Sequence, residues 1–263
     1  MTDTLIPAKK GKGIDAVIQS LHPQSLESRI EQRKVSSLFN LLLKRFEWSL
    51  EHKPGNIALR ERADLEHWLR RRDITLTPPE INSFLQISAA YKDHDNARFL
   101  TGPFVSALIQ RSYLAGYNNF QLDATSQFEP IHYLAYKLKG QDNDPLCLSV
   151  VGDVGRNFTD RSFRIDASLQ GDAQYGSASC LYYSSLNVSG NVGSMFANGA
   201  LWSVFRIDGK MKSSQGYDYI QHYCTFKSTN RHTLLDLLVE TYVANKVCLI
   251  DENGVEHVWR DFK

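Results

Sequence analysis

Three polar residues follow evenly spaced glycines in the second half of this 263-residue chain, and their spacing could set oxygen ligands in a row. Asp153, Asp172 and Asn191 each come directly after a glycine, and they recur with a 19-residue period. If each period forms one coil of a stacked structure, these side chains lie about 4.8 Å apart. Stacked carboxylates can bind a cation or raise each other's pKa. Polar residues at a corner can equally face water and cap turns, so both interpretations stay open.

Other catalytic groups show no recognisable organisation. The eight histidines include no HExxH motif and no pair four residues apart, and no G-x-S-x-G elbow offers a serine nucleophile. The cysteines contain no CxxC pair, which argues against a zinc site. These cysteines are Cys147, Cys180, Cys224 and Cys248. We therefore predict no metal site beyond the candidate row described above, and no cofactor.

A cluster of arginines marks one predicted helix in the first half of the chain. Its members are Arg60, Arg62, Arg70, Arg71 and Arg72. Cations at the end of a helix complement the helix dipole, and four acidic residues nearby neutralise much of the charge. Contacts with the phosphates of a nucleic acid are the alternative role for this cluster, and they would make binding strongly dependent on salt.

The glycines that precede the polar row belong to a repeat. Gly152, Gly171, Gly190 and Gly209 keep a constant 19-residue spacing. Other positions keep the same register, because apolar residues recur eleven residues after each glycine. These are Phe163, Tyr182, Leu201 and Ile220. Between the glycines, residues of one parity are mostly apolar or small, which is the alternation of a β-strand nested inside a 19-residue period.

This combination predicts a short parallel β-helix with 19-residue coils, from about residue 145 to residue 228. The four glycines are expected at corners that need unusual backbone angles. Phe163, Tyr182 and Leu201 are expected to stack inside. A phosphate-binding loop is the competing interpretation of the glycine-rich segment, but its spacing matches neither fingerprint and no helix follows it.

The remaining segments predict an α+β protein in two parts. Residues 1–140 form a helical region with a flexible N-terminal tail, and residues 141–263 form the β-solenoid with a cap made of a helix and a β-hairpin. Helices are expected over about 25–51, 57–72, 77 onward, 103–114 and 126–140, and again from about residue 229. The helix near 127–139 would cover one open end of the solenoid. The hairpin would turn at Asn253-Gly254.

The coils resemble a known family of β-helices. The motifs GDVG at 152–155 and GNVG at 190–193, the latter followed by Gly199, are similar to the GxxGxxxG coils of the GXGXG β-helix. That domain closes the large subunit of glutamate synthase and forms much of one subunit of formylmethanofuran dehydrogenase. The resemblance covers about a third of the chain, and the second coil carries Gln174 where the second glycine would stand. It implies a scaffold that holds other domains together.

Composition narrows the class of protein. The net charge is +1, hydrophobic residues make up 42% of the chain, and no 18 consecutive apolar residues occur. We therefore expect a cytoplasmic protein with no membrane contact. The function expected is a non-enzymatic structural or protein-interaction module, acting as a subunit or as a self-associating scaffold. The alternatives are a nucleic-acid-associated or regulatory protein that uses the arginine cluster, and an enzyme with a site between helices and coil, for which Asp153 and Asp172 would be the first candidates.

Overall fold

A computed structural model describes residues 26–52, 58–212, 223–233 and 245–260, and the chain divides into two compact units between Trp48 and Ser49. The fold is α+β, as predicted: a helical N-terminal region precedes a parallel β-solenoid, and a helical turn at 231–233 and an antiparallel hairpin follow it. The predicted N-terminal tail, Ile220 and most of the last predicted helix lie outside the described residues. The predicted domain boundary at 140/141 stays a prediction.

The described part of the N-terminal region contains four α-helices and a short 3-10 helix at Ala89–Tyr91. The α-helices are α1 (Leu26–His52), α2 (Ala58–Arg71), α3 (Pro78–Ser88) and α4 (Ala97–Leu114). The start of α3 is fixed by Thr77, whose backbone N–H and hydroxyl both donate to Glu80 Oε2, at 2.7 and 2.8 Å. This local capping is the reason that the motif at 77–80 identified the helix. Helix α4 begins six residues before the predicted start, so Pro103 lies inside it.

Among the described residues, eight strands form one sheet in chain order. They are β1 (Asn119–Asp123), β2 (Leu146–Val151), β3 (Ile165–Gln170), β4 (Ser185–Val188), β5 (Val204–Ile207), β6 (Thr225–Ser228), β7 (Lys246–Ile250) and β8 (Glu256–Arg260). Strands β1 to β7 pair in parallel, and β8 is antiparallel to β7. Leu146 pairs with Ile165, one full 19-residue period further on, as the glycine spacing predicted. The later coils are longer, since Thr225 pairs with Lys246.

Each coil also stacks on its neighbours outside the strands. Val154, Ala173, Val192 and Met211 form one row of parallel bridges, and Phe163, Tyr182 and Leu201 form another. Inward-facing strand residues fill the interior: Leu148, Val150, Ala167, Leu169, Leu186, Val188, Phe205, Ile207 and Phe226. Phe163, Tyr182 and Leu201 stack on one another as predicted, but the prediction that they fill the interior is wrong, because all three are partly exposed. The chain turns outward at the next residue, which has a positive φ in each of these coils.

The prediction of a helix over residues 126–140 is also wrong. This segment instead forms the turn of the first solenoid coil. Its backbone donors bond to the next coil: Tyr133 N–H donates to Arg156 O at 2.8 Å and Lys137 N–H to Asp160 O at 2.9 Å. Tyr133, Ala135 and Lys137 have φ of +59°, +60° and +56°, so the backbone alternates between left- and right-handed conformations. Amide groups then point alternately to either side of the coil, which is incompatible with an α-helix.

Helix α4 covers the end of the solenoid that the mispredicted helix was expected to cover. A stripe of residues four apart on α4 meets the first coil. The Ser106 hydroxyl accepts from Tyr136 N–H at 3.2 Å, and the Gln110 side chain bonds both backbone groups of Lys139. At Gly102 the two backbones come so close that a Cβ would lie 2.0 Å from His132 O. These contacts satisfy polar groups that an open solenoid end would otherwise expose to edge pairing.

The C-terminal segment begins and turns as the sequence predicted. Asn230 Oδ1 accepts from the backbone N–H groups of His232 and Thr233, at 3.0 and 3.4 Å, which is the hydrogen bonding of a helix N-cap. The hairpin turns through Gly254, whose φ is +79°. Asp251 Oδ1 accepts from the backbone N–H groups of Asn253 and Val255, both at 2.9 Å, and thereby holds the turn closed.

Candidate interaction surface

The polar row after the glycines is a ladder of hydrogen bonds from side chain to backbone. Asp153 Oδ1 accepts from Asp172 N–H at 2.8 Å, and Asp172 Oδ1 accepts from Asn191 N–H at 2.7 Å. Asn191 Oδ1 continues the pattern by accepting from Lys210 N–H at 2.9 Å. Each side chain therefore caps the corner of the next coil, and an amide performs this task as well as a carboxylate. The row joins consecutive coils.

The corner glycines are needed mainly because neighbouring coils approach closely. A Cβ on Gly171 would lie 2.4 Å from Gly152 O, and a Cβ on Gly209 would lie 2.2 Å from Gly190 O. Unusual backbone angles were predicted at all four positions, but Gly190 and Gly209 have no positive φ, whereas Gly152 has φ +105°. Steric exclusion between stacked corners therefore explains the 19-residue glycine period better than backbone strain does.

The surroundings of the ladder bear on its use as a cation site. Asp153, Asp172 and Asn191 line a hollow of about 360 Å³, which Lys212 also lines. The Asp172 carboxylate already accepts from both the backbone N–H and the side-chain amide of Asn191. Across the described ranges, no three His, Cys, Asp or Glu side chains group closely enough to hold a metal ion. The cation ladder stays a prediction, with a lysine beside it.

The side chain of His132 lies so close to Gly155 that this position of the GxxGxxxG motif has no room for a larger residue. Its Nδ1 accepts from Arg156 N–H at 2.9 Å, and a Cβ on Gly155 would lie 2.1 Å from the same atom. Burial, together with the neighbouring charges of Arg98 and Arg156, lowers the pKa of His132 to about 4. The imidazole is therefore neutral at physiological pH and accepts a hydrogen bond that joins the first two coils.

The arginine cluster divides in the structure. Arg60, Arg70, Arg71 and Arg72 are exposed. Arg62, in contrast, is only 6% exposed, and its Nη2 pairs with Glu66 Oε1 at 2.6 Å. Arg72 lies over the ring of Trp68, 5.3 Å from the ring centroid. Contact with nucleic acid stays a prediction, and the buried Arg62 is not on the surface that such a contact would use.

The most distinctive exposed feature of the solenoid is a stack of three aromatic rings, which we name the aromatic ladder: Tyr183, Trp202 and Tyr223. The rings of Tyr183 and Trp202 lie 4.9 Å apart at an angle of 12°, and those of Trp202 and Tyr223 lie 5.6 Å apart at 4°. Their exposed fractions are 47%, 47% and 61%. Because the ring faces cover one another, the ladder presents ring edges and polar tips to the solvent.

The ladder occupies a backbone position that ordinarily disfavours large side chains. Tyr183, Trp202 and Tyr223 have φ of +49°, +48° and +56°, in the left-handed region. For bulky residues this region is strained, and such a conformation costs about 1–3 kcal/mol. Glycine or asparagine would adopt this left-handed conformation at lower energetic cost, but neither residue would form a stack of aromatic rings. The aromatic residues at these positions are therefore not explained by the backbone alone.

A cation closes one end of the ladder. Arg164 occupies the equivalent position of the preceding coil, with φ +52°, and its guanidinium lies 5.6 Å from the centroid of Tyr183 and 4.6 Å from that of Phe163. It also pairs with Asp142. Within the described residues, the outward row runs from this cation through the three aromatic rings. The strands beside it carry Asp166 near the cationic end and Lys227 near the other.

Sequence reasoning missed this surface although its signal was present. Tyr183 and Trp202 are one 19-residue period apart, and each follows a residue of the predicted apolar row. The alternation of period two was extended through both positions, which assigned the apolar row to the interior. The positive φ that directs the following side chain outward has no sequence signature when the residue is aromatic.

Comparison with protein-family models, curated proteins and solved structures gives no match to this chain. No helix in the described ranges combines the length and the apolar character that a membrane crossing requires. The coils and their surfaces are therefore the basis for assigning a function.

Proposed function

We propose that this protein is a non-enzymatic scaffold that associates with a second copy of itself through the aromatic ladder. The observation that carries the proposal is the exposed stack of Tyr183, Trp202 and Tyr223, held in a strained backbone conformation. Aromatic residues are enriched at protein interfaces, and exposed apolar patches mark such sites. A scaffold role also fits a relation to the GXGXG β-helix, which we propose on the basis of the coil motifs.

The ladder is complementary to itself when two copies meet in opposite directions. A two-fold axis between the levels of Tyr183 and Trp202 sets each of these residues against the other one in the partner copy. The same axis sets Arg164 against Tyr223 of the second copy, so a cation meets an aromatic ring. In a parallel arrangement two arginines would meet instead, and like charges would repel each other.

Charged side chains also lie on the two strands that flank the ends of the row. Asp166 is exposed on β3, and Lys227 lies on the outer face of β6, where it pairs with Glu256. The two-fold axis that exchanges Tyr183 with Trp202 also exchanges the levels of β3 and β6. Asp166 then faces Thr225, which has the same register, and Lys227 lies two residues further along β6 in its pair with Glu256, so the aromatic ladder and Arg164 define the register of the dimer.

Sedimentation equilibrium of the full chain tests the proposal. We expect a reversible dimer, and we expect Trp202→Ser to weaken dimerisation about 1,000-fold, because an interfacial aromatic residue contributes about 2 kcal/mol and occurs twice in a two-fold interface. The matched control is Tyr175→Ser, since Tyr175 is 44% exposed and lies off the ladder. This control should dimerise like the wild type.

Three outcomes would overturn the proposal. The wild type could remain monomeric up to its solubility limit, or Trp202→Ser could dimerise as tightly as the wild type. The third is a salt-dependent complex with nucleic acid that forms in place of the dimer, which would transfer the assignment to the exposed arginines of α2.

A further inference from the structure

A second surface of the same compact unit has the features of a small-molecule site. A cleft of about 430 Å³ lies where α2 and α4 meet the first solenoid coil. Its lining residues are Arg62, Glu66, Gln110, Tyr113, Leu114, Lys137, Lys139, Gly140 and Gln141. We name it the basic cleft. Ligand sites in proteins have volumes of about 300–1,000 Å³, so the cleft can accept a small metabolite.

The ionisable groups that line the cleft are mostly cationic. Arg62, Lys137 and Lys139 are opposed by Glu66 alone among the lining residues. The Glu66 carboxylate is engaged by Arg62 at 2.6 Å, so the two lysines account for the excess charge. Asp160 is close enough to Lys137 to interact with it electrostatically, but it does not line the cleft. The cleft therefore favours an anion.

Arg62 is a buried lining residue whose hydrogen-bonding capacity is only partly used. Its side chain is 7% exposed, and its Nε is a buried donor without a hydrogen-bond acceptor among the described residues. Burial lowers the pKa of Arg62, because the surroundings solvate the guanidinium poorly. The buried Tyr136 hydroxyl likewise bonds to no group in the described part of the chain. Buried polar groups are normally satisfied, and those that are not call for an explanation. Because Arg62 is paired with Glu66, its charge is compensated, and the two lysines give the cleft its preference for an anion.

Hydrogen bonds from helix α4 hold the backbone of the cleft residues in place. Gln110 Oε1 accepts from Lys139 N–H at 2.7 Å, and Tyr113 Oη accepts from Gln141 N–H at 2.8 Å. The Tyr113 hydroxyl in turn donates to Asp144 O at 2.5 Å. Helix α4 thus fixes the backbone beneath Lys139 and Gln141, while the Lys139 ammonium bonds to no other described residue. Fixed positions with uncommitted donors are what an anion site requires.

We propose that the basic cleft binds a phosphate group, either as free phosphate or as the phosphoryl group of a small phosphate monoester. Lys137 and Lys139 supply the charge, and the Gln141 side-chain amide supplies a neutral donor. A phosphate dianion can accept from all of these groups at once, and lysine is a common phosphate ligand. This site lies on different residues from the aromatic ladder and does not depend on self-association.

Isothermal titration calorimetry of the full chain at constant ionic strength tests the site. The probes are inorganic phosphate and glycerol 3-phosphate, and the tighter of the two identifies the source of the phosphate group. We expect Lys137→Gln and Lys139→Gln each to weaken binding about tenfold, as for loss of one charged hydrogen bond. Both side chains are exposed, so the fold should tolerate the changes.

The control is Lys92→Gln, an exposed lysine outside the cleft. It should bind both probes like the wild type. Either of two results would overturn the proposal: neither probe binds the wild type, or the double variant K137Q/K139Q binds as tightly as the wild type does.

Discussion

At the scale of single residues, the solenoid is joined by short polar side chains that reach from one coil to the next. Asp153, Asp172 and Asn191 each accept a backbone N–H of the following coil. An asparagine in this row shows that the hydrogen bond matters and that the charge is not required for it. The row of polar residues at the corners therefore has a structural role, and two of its three members are carboxylates.

Two substitutions at Asp172 separate the structural role from cation binding. We expect Asp172→Ala to lower the free energy of unfolding by about 0.5–1.5 kcal/mol, because the Asn191 N–H, which is exposed, exchanges its protein acceptor for water. Asp172→Asn keeps the acceptor and should change stability by less than about 0.5 kcal/mol. Urea unfolding with and without calcium measures both. If Asp172→Asn were as destabilising as Asp172→Ala, and only when calcium is present, the row would be a cation site.

At this scale the sequence predicted where the corner glycines lie, but it did not predict why glycine is needed there. The 19-residue period located Gly152 and its equivalents at corners, but backbone crowding, which explains Gly171 and Gly209, depends on how closely coils stack. The outward direction of Tyr183 and Trp202 could not be predicted. It follows from a left-handed backbone conformation that their residue types do not favour.

At the scale of elements, the fold depends on how α4 closes the first coil. Ser106 is fully buried, and its hydroxyl bonds Gly102 O at 2.6 Å and Tyr136 N–H at 3.2 Å, so it links helix and coil. Gly102 allows the two backbones to approach. A solenoid end without such a cover would expose unpaired strand groups and could pair with other chains.

A matched pair of serine substitutions tests the cap. We expect Ser106→Ala to lower the free energy of unfolding by about 1–3 kcal/mol, since it leaves buried polar groups without a partner. Ser83→Ala is the control, because the Ser83 hydroxyl is exposed and bonds Pro79 O of its own helix. Its effect should stay within about 0.5 kcal/mol. Equal effects of the two substitutions in chemical denaturation would show that α4 does not hold the coil.

The sequence predicted those helices, strands and turns that have a capping motif, a turn motif or the 19-residue repeat. It did not predict the first coil. Capping at Thr77 and the Asn253-Gly254 turn are local, and the 19-residue period repeats often enough to reveal β2 to β5. Residues 126–140 carry apolar residues at helical spacing, but their amide groups bond to Arg156 and Asp160 of the next coil. The conformation of residues 126–140 therefore depends on hydrogen bonds to the next coil, and a pattern within these residues alone does not reveal such bonds.

At the scale of the whole molecule, the central claim is that two copies associate through the outward row of the solenoid. The sequence supported a scaffold role through the repeat and through the resemblance to the GXGXG β-helix. The particular surface emerged from the geometry: three stacked rings, with Arg164 at one end and Tyr223 at the other. Opposite ends of the row meet when the two-fold axis lies across the row, between the levels of Tyr183 and Trp202.

Disulfide trapping between distinguishable copies tests this claim most directly. Arg164→Cys and Tyr223→Cys are prepared separately, each with Cys147→Ser and Cys180→Ser, and carry tags of different mass. Oxidation of the equimolar mixture should give mainly the mixed dimer, because residue 164 of one copy lies against residue 223 of the other. Tyr175→Cys replaces Arg164→Cys in the control and should give no mixed dimer. Only like-with-like dimers, or no dimer at all, would contradict the proposed association.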